Sequence, residues 1–432
     1  AVQNPILPIY REREVGFVTR QSGAALLCVP GVFRGFDFEA MAREVASGSE
    51  SLEVLVVDGG LPEANPADLP PPPMVSSASE SPVRWLFYTS GTTADPKGAK
   101  HTDATLLASC RGMCACLALA EDDRIALVFP FTHVGGVMWL MNGLLTGAAQ
   151  ISVAVFDPPA TIPLLAKHGA TQLTAGTVFH QAYLAAQREH GSTPLFPAAR
   201  SFPGGGAPKP PQLHYDVRKE LGAPIVSGYG LTECPVLAMN GVDDPDEKLA
   251  ETEGRASPEE TCIKVVTLAG AGAAPGEEGE IRVRAPQLCH GYLDESLNAA
   301  AFDDEGFFRT GDLGTVDADG FVRITGRLKD VIIRKGENIS AKEVEDLLYQ
   351  HPGIEDVAVI GLPDERTGER ACAVVKLRKG EVPLDLAAIA HFLRERGLMV
   401  QKIPEQLEKV DEIPRNPTGK ILKHELRKRF GA

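Results

Sequence analysis

From Val134 to Phe156 the chain runs for 23 residues without a formal charge, long enough to cross a bilayer. Two structures share that hydropathy: a membrane span, or a buried helix followed by the central strand of a parallel sheet, apolar on both faces. Gly135, Gly136, Gly143 and Gly147 interrupt the run. They divide it into a glycine-led helical piece around residues 136–146 and a strand around 149–155. The second reading is the better one, so we expect no transmembrane segment and an α/β protein.

The surrounding sequence continues the alternation. Arg84 to Thr89 reads as extended, Asp103 to Leu119 as helical and Arg124 to Phe129 as extended, the pattern of a layered α/β domain with a mostly parallel sheet. At about 150 residues per domain, 432 residues make roughly three domain-sized units. The Pro-rich piece from Leu61 to Met74 reads as a surface connection. A second unit begins near Lys329, dividing the chain into 1–328 and 329–432. It carries a helix from Ala341 to Gln350, strands at Asp356–Gly361 and Ala371–Leu377, a helix from Leu384 to Arg396 and a basic tail from Lys420 to Arg429. The fold class expected is thus a large N-terminal domain of layered α/β sheets and a small α+β C-terminal domain.

A net charge of -15 argues against a general nucleic-acid surface, which needs clustered Lys and Arg, and leaves small molecules as the expected partners. The eight cysteines are scattered; Cys110, Cys114 and Cys116 lack paired Cys-x-x-Cys spacing. Buried free thiols in a reducing cytoplasm fit that better than zinc or disulfides. The segment Ala1-Val-Gln-Asn-Pro-Ile has no basic stretch followed by an apolar core, so no secretory signal is visible.

Five segments carry chemistry. Tyr88-Thr-Ser-Gly-Thr-Thr-Ala-Asp-Pro-Lys-Gly98 concentrates hydroxyls on Thr89, Ser90, Thr92 and Thr93, flexible backbone at Gly91 and Gly98, and a point charge on Lys97. Those groups suit a polyphosphate, and a polar loop would contain them too. It is not the Walker pattern, because Gly98 follows Lys97 where a metal-binding hydroxyl would stand. Gly228-Tyr-Gly-Leu-Thr-Glu233 places a hydroxyl and a carboxylate after a flexible turn, oxygen ligands of the kind a hard magnesium ion takes beside phosphates. Phe308-Arg-Thr-Gly-Asp312 presents a carboxylate on a turn, able to accept from two ribose hydroxyls or simply to form the turn. Gly326-Arg-Leu-Lys-Asp330, followed by Lys335-Gly-Glu-Asn338, suits a hinge. Pro414-Arg-Asn-Pro-Thr-Gly-Lys420 holds a lysine on a loop, although the cations after it equally describe a solvated helix end.

In this order and over nearly the whole chain, these segments resemble the adenylate-forming superfamily of acyl-CoA synthetases, luciferases and peptide-synthetase adenylation domains. The resemblance implies a cleft between a large domain and a small mobile one, with ATP, Mg²⁺ and coenzyme A as cofactors and cosubstrates. It would place Thr89, Ser90, Gly91, Thr92, Thr93 and Lys97 on the β- and γ-phosphates. Gly205, Gly206 and Ala207 would lie on the adenine, with Gly228 and Tyr229 nearby. Thr232 would touch phosphate, Glu233 would bind magnesium, and Asp312 and Arg327 would hold the ribose. Lys420 would act in the first half-reaction, Lys329 would be the hinge, and the Gly336 loop would border the thiol path.

Phe131-Thr-His133-Val-Gly-Gly136 resembles the segment that guards the acyl pocket, which makes His133 a gate. Thr132 and His133 stand where adenylation domains usually carry an Asp for the substrate ammonium, which argues against an amino acid. Val134, Gly135, Thr177, Val178, Gly204 and Gly230 leave room for a hydrophobic acid, a fatty acid favoured over a bulky alicyclic or aromatic one. The expected activity is an AMP-forming acyl-CoA ligase, in lipid metabolism if the acid is fatty. Loading of an acyl carrier protein, or a catalytically degenerate nucleotide-binding homologue, are the alternatives. Two departures stand out: Ala94 occupies a position that is commonly Gly, and family members start well upstream of the segment at Asn4, so a piece of the N-terminal domain is expected to be missing.

Overall fold

The computed structural model describes residues 1–60, 63, 65–71, 80–89, 96–206, 209–334, 337–378, 384–416 and 419–431. Ser90, Gly91, Thr92, Thr93, Ala94, Ala207 and Gly336 lie outside them, as does part of the Pro-rich piece.

The uncharged run resolves into the helix Val134–Thr146 and the strand Ala149–Ser152. Thirteen helical residues span about 20 Å, short of a bilayer's roughly 30 Å. Among the described residues no helix is long and apolar enough to cross a membrane. The strand Arg124–Leu127 pairs in parallel with Ala149–Ser152. Parallel bridges through Gln172 and Ser201 lead on to Phe202–Gly205, which pairs in parallel with Ile225–Leu231. Helices Thr177–His190 and Pro211–Leu221 pack on this sheet, and Leu173, Tyr183, Phe202, Val217 and Ile225 form its dry core. Gly205 has a packing reason to be glycine, since a Cβ there would lie 2.4 Å from the carbonyl oxygen of Gly228 on the neighbouring strand.

The parallel expectation holds from Arg124–Leu127 to Ile225–Leu231 and again where Leu26–Val29 pairs with Glu53–Val56, but Cys234–Met239 joins Ile225–Leu231 antiparallel. Strands Cys262–Val266, Gly279–Arg284, Phe308–Val316 and Val322–Arg327 form a four-stranded antiparallel sheet that the sequence reading did not anticipate. Asp312 therefore stands inside a strand and not on a turn, and its register partner is Arg327. The turn character of Arg-Thr-Gly-Asp survives only as a positive φ of 68° at Gly311. The described flanks of the phosphate-like segment are paired: Val83–Thr89 runs antiparallel to Lys97–Thr102, Thr89 opposite Lys97, and the helix Asp103–Cys116 begins only afterwards. Lys-Gly-Ala-Lys-His-Thr has no apolar alternation to announce a strand, and tertiary pairing overrides its weak propensity.

The small C-terminal domain holds strands Val331–Arg334, Glu337–Ser340, Ile354–Asp364, Gly368–Leu377 and Gln406–Lys409 in one sheet. Its central strands are buried on both faces. Val357 and Val359 pack with Val344, Leu348, Ile389 and Leu393, while Ala358 and Ile360 face Leu426 of the helix Lys423–Phe430. Period-two alternation of two apolar sets explains why Asp356 to Gly361 reads as an unbroken apolar strand.

Candidate active site

A cleft of about 180 Å³ lies where the two domains meet. Gly206, Gly228, Tyr229, Gly230, Asp312 and Arg327 line it from the large domain, and Lys329, Lys342, Lys420, Lys423 and His424 from the other side.

Asp312 is almost fully buried, with its two oxygens differently held: Arg327 Nε lies 2.8 Å from Oδ1, and the Tyr229 hydroxyl donates to Oδ2 at 2.8 Å. Burial and then the neighbouring carboxylate push the Tyr229 phenol up, so it stays a donor. Each carboxylate oxygen keeps a further lone pair for a ligand hydroxyl.

Lys420 enters the same cleft on the loop after Asn416. The loop closes through Asn416 N to Lys420 O at 2.9 Å and Lys420 N to Asn416 Oδ1 at 2.9 Å. At Gly419, with φ of +84°, a Cβ would come within 3.0 Å of Val178, so the loop seats directly on the large domain. Burial, followed by the nearby Arg327 and Lys329 cations, pushes the Lys420 ammonium down to about 8. Lys329 is also shifted down, chiefly by burial and then by Arg327. Three converging cations beside two carboxylates, Asp312 and Asp330, leave an excess of positive charge that an anion would neutralise.

Thr232 and Glu233 form the two-residue turn between Ile225–Leu231 and Cys234–Met239, with Leu231 paired to Cys234. The turn is pinned on both sides. His101 Nε2 donates to the Thr232 carbonyl at 2.9 Å, and Cys289 N donates to the Glu233 carbonyl at 2.8 Å. Burial drives the His101 imidazole down to about 4, so it is neutral and structural. The Glu233 carboxylate accepts from the Tyr292 hydroxyl at 2.6 Å, and Lys97 Nζ stands 5.4 Å from the Tyr292 ring centroid. Among the described residues no group of three or more His, Cys, Asp or Glu could hold a metal. A lone buried carboxylate fits magnesium that takes its remaining oxygens from phosphate and water, and does not fit a protein-built cage.

His133 is not brought into this cleft. It caps the helix Val134–Thr146, its Nδ1 accepting from Gly135 N at 3.1 Å, packs edge-on against Phe129, and is pushed down to about 4 by burial. With Val134, Tyr10, Thr132 and Thr232 it lines a separate cavity of about 10 Å³, room for one water and no acyl chain. Of the other residues expected at the acyl group, Gly230 lines the main cleft.

Sequence reasoning missed three residues that hold the site: Tyr292, His101, and Arg415, which braces the Lys420 loop. Each has one partner dozens of residues away: Glu233 for Tyr292, Thr232 for His101 and Asp356 for Arg415. Arg415 lay inside a motif that had already been noticed, and its charge beside a functional lysine was the available signal.

A large α/β domain and a small α+β domain meeting at a cation-rich cleft are the fold and site of the adenylate-forming enzymes. The chain belongs to the AMP-binding enzyme family, whose pattern matches residues 1–293, while that of the AMP-binding enzyme C-terminal domain matches residues 343–420. It is 33% identical to the medium-chain fatty-acid–CoA ligase of Escherichia coli K12, the match covering 99% of this chain and 77% of that one. It is 31% identical to the salicyl-AMP ligase / salicyl-S-ArCP synthetase of Mycobacterium tuberculosis, over 98% and 76%. Among solved structures, ATP-bound MatB from Rhodopseudomonas palustris matches with a TM-score of 0.87 at 28% identity, covering all of this chain and 84% of that one. The apo form of MatB matches with 0.73, over the same shares.

Proposed function

We propose that this adenylate-forming ligase is an acyl-CoA ligase. It activates a hydrophobic carboxylic acid with ATP as an acyl adenylate, then joins the acyl group to the thiol of coenzyme A, releasing AMP and pyrophosphate. The observation that carries the proposal is the meeting of Lys420 with the Asp312–Arg327 pair in one cleft.

The chemistry follows from charge. A carboxylate is a poor nucleophile toward a triphosphate, so the α-phosphate must be neutralised and the two reactants aligned. In this reading Lys420 supplies that charge. Asp312 and Arg327 hold the ribose, Gly205, Gly206, Ala207, Gly228 and Tyr229 surround the adenine, and Thr232, Lys97 and the hydroxyls of Thr89, Ser90, Thr92 and Thr93 steer the departing pyrophosphate. Glu233 would hold magnesium, which supplies charge neutralisation across the phosphate oxygens. The higher TM-score to ATP-bound than to apo MatB supports reading this domain arrangement as the adenylating one. Lys420 is dispensable once the adenylate exists, so rotation about Lys329, with the boundary at 328/329, would withdraw it and open a thiol path beside Gly336.

A fatty acid remains the favoured substrate, supported by the Escherichia coli relative. Its chain would extend from the main cleft near Gly230, since the cavity beside His133 is too small. The Mycobacterium tuberculosis relative supports a second reading, an aryl or acyl group delivered to a carrier protein.

The test is acid-dependent pyrophosphate release with Mg-ATP across fatty, alicyclic and aryl acids, followed by thioester detection with coenzyme A and with carrier protein in parallel. Release with fatty acids and thioester on coenzyme A is the expected result. Thioester only on carrier protein would move the assignment to the second reading, and no release with any acid would end both.

A further inference from the structure

We infer that Tyr292 is a positioning residue shared by the two anion-handling halves of the site, orienting Glu233 for a divalent cation while its ring supports Lys97. The inference rests on the reading of Glu233 as the magnesium ligand.

Tyr292 is located from every side. Its backbone N donates to Asn298 Oδ1 at 2.9 Å, and a bridge pairs it with Ala99. On either side of it, Lys100 N donates to Gly291 O at 2.9 Å and Leu293 N to Gly98 O at 2.8 Å. The strand that begins at Lys97 is thus stitched to the segment that carries the tyrosine. Gly98 completes the fit: a Cβ there would lie 2.9 Å from the Tyr88 ring, so no larger residue lets the hairpin lie this close.

Packing alone explains the ring, which is buried with Tyr229, Cys234, Leu237 and Phe308. It does not explain the hydroxyl, because phenylalanine would fill the same space. The hydroxyl donates to Glu233 Oε1 at 2.6 Å, a short charge-assisted bond. With Oε1 held, Oε2 has a fixed direction in which to meet a cation. On the ring face, Lys97 Nζ sits 5.4 Å from the centroid, within range of a cation–π contact. One side chain therefore sets the distance between the phosphate-loop cation and the metal carboxylate.

Tyr292→Phe keeps the ring and deletes the bond. We expect the Mg²⁺ concentration for half-maximal acid-dependent ATP–pyrophosphate exchange to rise about tenfold, in line with the loss of one hydrogen bond to a charged group. Mn·ATP binding measured by calorimetry should weaken by a similar factor, and metal-free ATP binding should stay the same. Conversion of supplied acyl adenylate and coenzyme A to thioester should also be unchanged. Glu233→Gln and the double variant complete a cycle, in which Tyr292→Phe should add no further shift once the carboxylate is gone. If Glu233→Gln weakens Mn·ATP binding and Tyr292→Phe does not, the role of Tyr292 falls alone. If Glu233→Gln leaves the metal dependence unaltered, the metal assignment and the role of Tyr292 fall together.

Discussion

Arg415 joins the Lys420 loop to the sheet of the small domain by a two-pronged bond to Asp356: its Nη2 lies 2.8 Å from both carboxylate oxygens, while its Nη1 donates to the Gly419 carbonyl at 2.6 Å. Tyr349 donates to the same carboxylate at 2.6 Å. The residue before Lys420 is thus fixed to Ile354–Asp364, the strand buried on both faces. Arg415→Ala should lower adenylation at least about tenfold, through loss of charge-assisted bonds that position the loop. Conversion of supplied acyl adenylate to thioester should be spared. Arg415→Lys, which lacks the planar fork, should recover little of the loss. Rate measurements on the separate half-reactions check this, and equal loss in both would refute the brace.

Lys420 titrates inside the working range. An ammonium pushed down to about 8 is charged below that pH and neutral above it, so its help to a phosphate anion disappears as pH rises through about 8. The pH profile of kcat/KM for adenylation reports the free enzyme and should bend downward there. Lys420→Arg should remove that bend at a reduced rate, because a guanidinium stays charged. Lys420→Ala should lose on the order of 10²-fold or more in adenylation, with thioester formation from supplied adenylate retained.

The Asp312 carboxylate is held by Arg327 and Tyr229 and offered to the cleft. Asp312→Ala should raise the KM for ATP by about 10- to 100-fold, the range for one or two bonds to a charged group. Tyr229→Phe should raise it by less, because Arg327 still orients the carboxylate. Equilibrium ATP binding by calorimetry decides between them.

For His133 the structure supports a capping role, and the small cavity beside it gives no room for the acyl group that the expected gate would serve. Removing an N-cap acceptor costs about 1 kcal/mol, so His133→Ala should lower the melting temperature, and His133→Asn, which caps equally well, should restore it. The KM for the acid should be unchanged in His133→Asn, and a changed KM at retained stability would restore the gate.

The divided legibility of the site has a physical pattern. Lys97, Thr232, Glu233, Asp312, Arg327 and Lys420 were legible as residue types in short motifs. Short motifs preserve chemistry and local backbone, so they did not disclose that Asp312 lies opposite Arg327 in a strand or that Thr89 lies opposite Lys97 in an antiparallel pair. Tyr292 was invisible, since a single tyrosine after glycine carries no motif.

What the sequence by itself determined was the class of chemistry, the two-part α/β organisation and the conversion of an uncharged run into a helix and a strand. The class of chemistry came from the resemblance of short motifs, taken in order, to a known family, and the other two came from short-range apolar and glycine patterning. Only the tertiary structure decided which charges face each other: Arg327 with Asp312, Tyr292 with Glu233 and Lys97, Arg415 with Asp356. Such pairs are set by sheet register and by the docking of one domain on another, and register depends on contacts between residues far apart in the chain.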